Sequence, residues 1–157
     1  MNTTSPTDEI ERLGGKLRHL HLAILHAERQ QDPSASGFAL LDRLINDPAW
    51  AWLRPLSALM AEIDHVLSQS APPTVYDHAV VAAHIRGLLS NEGDLGNAAF
   101  RERYVPLLQS NTEIAGAHAE LRSLLRTAPD ESADESERLH ARHQWAMRAR
   151  HQTRGQD

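Results

Sequence analysis

Large aliphatic residues recur every three or four positions along most of the chain, which is the repeat of helices that bury one face. The clearest stripe predicts a helix over residues 8–31, and its members are Ile10, Leu13, Leu17, Leu20 and Ile24. Further stripes predict a short helix over 38–45 and longer ones over about 56–67, 75–90, 97–109 and 112–127. No segment alternates apolar and polar residues as a half-buried strand would.

Capping residues and prolines set the expected boundaries of these helices. Asp47 followed by Pro48 is a typical helix start. Pro55 predicts a break or kink, because proline lacks an amide hydrogen and crowds the preceding turn. After a flexible leader over 1–7, we therefore expect an all-α fold over 8–127, an up-and-down bundle of five or six helices of which about four are long.

The charged tail over 128–157 has two interpretations. An acidic block precedes a basic one, which is the order that a helix dipole favours, so a marginal helix over about 135–150 is one of them. The other is a disordered tail, which we expect because only Leu139, Trp145 and Met147 are large and apolar. Such a segment buries too little surface to offset the entropy that ordering costs.

Composition excludes several classes of function. The chain has 157 residues, no cysteine and a formal net charge of −5. The lack of cysteine excludes disulfides, thiolate zinc sites and cysteine nucleophiles, and the acidic balance makes nucleic acid an unlikely partner of the chain as a whole. We see no signal peptide and no apolar run of about 20 residues, so we expect a cytoplasmic protein with no membrane partner. Catalytic motifs are missing, and nothing supports an enzyme.

Ten histidines invite a metal hypothesis, and helical geometry sorts them. His21 lies about 60° and Glu28 about 40° from the buried axis of the first helix, and His118 lies about 60° from the apolar axis of its own helix. If these two helices are neighbours, the three side chains could converge on zinc or another divalent transition metal. The expected alternative is that no cofactor is bound and that each histidine bonds a carbonyl or a carboxylate.

A second pattern also concerns metal ions. Glu62 and His65 match the Glu-x-x-His spacing of di-iron bundles. Such a site needs two pairs of this kind and two further inward glutamates, and the sequence offers one pair. Because His65 is expected to point away from the buried face of its helix, we do not predict a di-iron site.

The helix predicted over 75–90 is apolar on two sides, and its outer stripe includes Tyr76 and Val80. A helix that is apolar all round needs partners on both sides, so this stripe predicts an interface. Trp50 is a further candidate, because it cannot share a helix face with Trp52 and must either pack internally or meet a partner. We predict a non-enzymatic interaction or regulatory protein that binds a protein partner or itself, as a homodimer. A metal- or small-ligand-binding bundle is the alternative.

The segment from Asp47 to Ser57 reads Asp-Pro-x-x-x-Trp-Leu-Arg-Pro-Leu-Ser. It resembles a segment of small, uncharacterised proteobacterial proteins that have no established activity. The stretches 20–25 and 117–122 resemble parts of the same family. The resemblance implies a helical fold and no chemistry. The bacterial source is indicated by composition, since alanine is abundant and Lys16 is the only lysine beside many arginines.

Overall fold

The computed structural model describes residues 4–31, 39, 42, 45–91 and 93–150. These residues form helices and no strand, which confirms the all-α prediction. The short helix expected over 38–45 lies largely outside the described residues. The elements are α1 (Pro6–Gln31), a 3₁₀ helix (Pro48–Leu53), α2 (Arg54–Ser68), α3 (Val75–Ser90), α4 (Ala98–Ser110), α5 (Thr112–Thr127) and α6 (Glu135–Arg150).

Side-chain caps fix where several of these helices begin. Asp47 accepts a hydrogen bond from the amide of Ala49 at the start of the 3₁₀ helix. Thr74 and Asp77 form a reciprocal capping box at the start of α3. Asn111 caps α5 through the amide of Ile114. Because these side chains satisfy amides that have no partner inside the helix, each cap stabilises its helix by about 0.5–2 kcal/mol.

Helix α1 runs through the middle of the bundle and packs against α2, α3 and α5. Its predicted stripe is buried along its whole length. Phe100 and Tyr104 of α4 are buried as well, and their rings stack at 5.1 Å between centroids. The predicted break also occurs, since the 3₁₀ helix gives way to α2 one residue before Pro55.

Helix α6 packs on the outside of this bundle, against α2 and α3. Trp145 at its inner face is only 2% exposed. Of the two interpretations of the tail, the helical one is therefore confirmed for residues 135–150. The expectation of disorder counted large apolar side chains and gave no weight to arginine, which supplies most of the side-chain hydrogen bonds that hold α6.

Candidate functional site

The histidines singled out from the sequence lie on neighbouring helices but have different partners. Nε2 of His21 lies 3.3 Å from the Ser57 hydroxyl of α2. Nδ1 of His118 lies 2.6 Å from the Tyr104 hydroxyl of α4. Glu28 is half-buried on α1. Within the described part of the chain, no group of three or more histidine and carboxylate side chains could hold a metal ion. The structure therefore does not bring the proposed ligands together.

Burial favours the neutral form of both histidines. Desolvation lowers the pKa of His21, and it also lowers the pKa of His118, where the charges of Arg122 and Arg101 act in the same direction. Burial raises the pKa of the Tyr104 hydroxyl. The Tyr104 hydroxyl is therefore protonated at neutral pH and can donate to Nδ1 of His118. Both histidines therefore lie beside hydrogen-bonding groups, but these are hydroxyls and not the carbonyl or carboxylate expected from the sequence.

The three residues assigned to an interface have different environments. Trp50 is 6% exposed and belongs to the core, so internal packing explains it. Val80 is fully buried, because α3 lies between α1 and α6. Tyr76 is 68% exposed at the first turn of α3. The outer stripe of α3 does have a partner along part of its length, and that partner is a helix of the same chain.

Helix α6 lies in a groove between α2 and α3, and a tryptophan anchors it. Nε1 of Trp145 donates to a carboxylate oxygen of Glu62 at 3.3 Å. Ala141 and Ala149, one helical turn on either side, pack against the hydrophobic core. We call the surface that receives α6 the groove. It carries the polar residues Glu62, Gln69, Asp77 and Asp94.

Arg148 holds the C-terminal half of α6 in the groove. Its guanidinium donates to Asp77 at 3.1 Å, to the carbonyl of Ala71 at 2.6 Å and to the side chain of Gln69 at 3.0 Å. Gln69 in turn donates to the backbone carbonyl of Arg148 at 2.9 Å. A planar guanidinium spreads its N–H donors over three nitrogens in fixed directions, so it can reach three separated acceptors, whereas the donors of a lysine all lie on one nitrogen.

Arg142 holds the N-terminal half of the helix. It donates to both carboxylate oxygens of Asp94 at 2.9 Å and to both oxygens of Glu131 at 2.8 and 2.6 Å. The hydrogen bonds from Arg142 to Asp94 are the chief reason that the pKa of this carboxyl is lowered to about 2. Because Asp94 is exposed, water screens its pair with Arg142, and the contact fixes the position of α6 more than it stabilises it.

The spacing of these three α6 residues is the signal that sequence reasoning missed. Arg142, Trp145 and Arg148 follow one another at intervals of three, which places them within an arc of about 120° on one helix face. An aromatic residue between two arginines on one face is a pattern that could have indicated a docked helix. The acceptors that they meet come from α2, α3, the connections that follow each of these two helices, and the segment just before α6, and periodicity does not show those contacts.

His65 marks a weak point of the groove. It lies one helical turn from both Glu62 and Gln69, which bond α6, so it lies on the covered face of α2. Its Nε2 is buried with no hydrogen-bond partner in the described part of the chain. Leaving such a nitrogen unpaired costs about 1–3 kcal/mol. The expectation that His65 points away from the core overlooked the second layer formed by α6.

A cavity of about 770 Å³ lies beside the docked helix, between α6 and the first turns of α3. Tyr76, Val80 and Ala141 form apolar parts of its wall, and Arg138 and His140 form polar parts. Two of the three predicted interface residues therefore line one cavity. Its volume lies within the range of ligand pockets, about 300–1,000 Å³.

Comparisons with known proteins assign no family to this arrangement, since no family profile, curated protein or solved structure matches the chain. None of the helices in the described ranges is long and apolar enough to cross a membrane. Any functional assignment therefore rests on the contacts of the groove and on the cavities of the bundle.

Proposed function

We propose that this chain is a non-enzymatic, cytosolic interaction protein that binds an amphipathic helix in the groove between α2 and α3. The observation that supports the proposal is the way in which α6 is held, with one buried tryptophan between two arginines that bond carboxylates. A helical ligand docks in the same manner, with an apolar anchor at the centre and charge-assisted contacts at the rim. In this proposal α6 is the resident occupant, and a partner helix competes with it.

The groove also indicates the chemistry of the partner. Glu62, Asp77 and Asp94 make its rim acidic, and the helix that fills it presents Arg142 and Arg148. We therefore expect a partner helix with a large aromatic anchor and a basic residue three positions before and after it. An acidic helix would meet like charges at the rim and would be rejected.

Helix α6 is the element that can leave at the lowest cost. Trp145 is its only fully buried side chain, whereas α1 buries a complete stripe. The ion pair of Arg142 with the exposed Asp94 contributes only about 0–1 kcal/mol, whereas opening the pair of Arg148 with the buried Asp77 costs more because that carboxylate loses its partner. The 16-residue helix takes most of its remaining stability from packing on the bundle. Segments held in this way open at free energies below that of global unfolding.

A peptide that covers residues 131–150 tests the proposal. It would carry a fluorophore and be titrated into the full-length Trp145→Ala chain, whose own helix binds weakly. We expect saturable one-to-one binding by fluorescence anisotropy, and weaker binding to the unsubstituted chain, where α6 competes at high effective concentration. The matched control is the same peptide with Trp145→Ala, which should bind at least about tenfold more weakly.

Several outcomes would contradict the groove as a helix-binding site. One is a lack of saturable binding by a variant that keeps its helical circular dichroism signal outside α6. Another is equal affinity for the two peptides, which would show that the tryptophan does not anchor the complex. Light scattering of the full-length chain tests self-association, because a dimer lost on Trp145→Ala substitution would identify a second copy as the partner.

A further inference from the structure

A second cavity, of about 300 Å³, lies where α3 and α5 end. Arg86 and Ser90 of α3 and Arg122 and Arg126 of α5 form most of its wall. Its lining includes one acid, Asp130, whose side chain is 94% exposed. Three arginine side chains therefore line one small, partly open space in a chain whose formal net charge is −5.

One of the three arginines has a clear role in the fold. Arg86 donates to the backbone carbonyls of Leu125 and Ala128, where α5 ends, and its guanidinium lies 3.7 Å from Asp130. Basic side chains commonly satisfy the last carbonyls of a helix in this way. The end of α5 therefore needs no further cation, and this role does not account for the two other arginines.

Those two arginines have no carboxylate partner among the residues that the structure describes. Arg122 donates to the hydroxyl of Ser90 at 3.1 Å, which is a neutral group. Arg126 is exposed, and no carboxylate among the described residues lies within ion-pair distance of it. Like charges held around one cavity repel each other, and a bound anion would remove that cost.

We propose that this cavity binds a phosphate-class dianion, either inorganic phosphate or the phosphate monoester of a small molecule. Guanidinium groups match phosphate oxygens with paired hydrogen bonds, and the hydroxyl of Ser90 supplies a further donor. The volume lies at the lower end of ligand pockets, which suits a phosphate with a small organic group. The site uses none of the contacts that hold Trp145, so a test of anion binding here is independent of the proposal that the groove binds a helix.

Titration of inorganic phosphate into the full-length chain tests the site, with the ionic strength held constant by sodium chloride. We expect saturable ¹H–¹⁵N NMR shifts confined to the surroundings of Ser90, Arg122 and Arg126. Replacing either arginine by glutamine should weaken binding roughly tenfold or more, the loss expected for a hydrogen bond to a charged group. Both side chains are exposed, so these variants should stay folded. Arg12→Gln, the same charge change on α1, should leave the affinity unchanged.

A second probe separates the two sources of the anion. Binding of phenyl phosphate that is tighter than that of inorganic phosphate would identify a monoester of a small molecule, and weaker binding would identify free phosphate. Arg122→Lys keeps the charge but loses the planar fork, so its affinity should fall between those of the parent and of Arg122→Gln. Shifts that sodium chloride alone reproduces, or equal effects of Arg12→Gln and Arg126→Gln, would overturn the site because they would show general charge screening.

Discussion

Replacing Trp145 by alanine in the full-length chain should release α6 while the rest of the bundle stays folded. Trp145 is 2% exposed, and truncation of a buried tryptophan to alanine costs about 3–5 kcal/mol. The hydrogen bond to the Glu62 carboxylate is lost as well, and a bond to a charged group contributes about 1.5–3 kcal/mol. Once out of the groove, α6 loses the tertiary packing from which most helical stability in proteins comes, so it should unfold locally.

The measurable loss of docking free energy has an upper limit, because the substitution has no further effect once α6 has left the groove. The change in the opening free energy of α6 therefore equals the smaller of two quantities, the cost of truncation and the free energy of docking. The remaining helices keep their own core, since the stripe of α1 is buried against α2, α3 and α5. We expect α6 to be released and α1 to be nearly unaffected.

Hydrogen exchange resolves this prediction by segment. Amides over 135–150 should lose their protection in the Trp145→Ala variant, whereas amides of α1 should keep theirs. Leu139→Ala is the matched control, because this residue lies on α6 and is 51% exposed. Loss of protection in α1 together with α6 would show that α6 belongs to the cooperative unit and would refute a detachable occupant. Unchanged protection in α6 would show that Trp145 does not anchor this helix.

Three further predictions test other contacts. His65→Leu removes the unpaired buried nitrogen, so α6 should dock more tightly by about 1–3 kcal/mol, and slower hydrogen exchange of α6 would show it. Because burial first, and nearby arginines second, place the folded pKa of His118 below its ordinary value of 6.5, its contribution to stability is complete above that pH and declines as the pH falls. Urea midpoints should therefore fall between pH 7 and pH 5, with a smaller fall in His118→Gln, and a rise would contradict the sign. Gly116→Ala should stabilise the chain by about 0.5–1 kcal/mol, because a Cβ there meets open space. Gly87→Ala should destabilise the chain, because a Cβ there would lie 2.6 Å from the carbonyl oxygen of Leu95. Calorimetric melting temperatures that moved in the opposite directions would contradict these two predictions.

The inner layer of the fold could be predicted from the sequence because burial of one helix face leaves a regular repeat of apolar residues. The stripe of α1 and the break before Pro55 follow from that repeat and from backbone chemistry. The outer layer leaves no such repeat. Helix α6 buries Trp145 and is otherwise held by arginines whose acceptors lie far away in sequence. Val80 and His65 were both expected on outward faces, and α6 covers both faces.

Helical geometry predicted how deeply the candidate histidines are buried, but it did not predict their hydrogen-bond partners. His21 and His118 lie at the boundary of the core, as their angles from the apolar axes predicted. The packing of α1 against α5 also satisfies the condition set for a shared site. What decides the outcome is the neighbour that each ring faces, Ser57 in one case and Tyr104 in the other. Those neighbours come from other helices, so no periodicity within α1 or α5 encodes them.

Competition with α6 determines which partner helix the groove can accept. A helix joined by a short linker acts at an effective concentration on the order of 1 mM. A free partner at about 1 µM must therefore bind roughly a thousandfold more tightly than α6 to occupy half of the sites, a difference of about 4.1 kcal/mol. The cavity beside α6 offers a source of that difference, because the exposed ring of Tyr76 lines space that α6 leaves unfilled. One additional buried aliphatic or aromatic side chain contributes about 1.5–3 kcal/mol, so a partner that keeps the arginine–tryptophan–arginine spacing and adds two apolar residues over Tyr76 should displace α6.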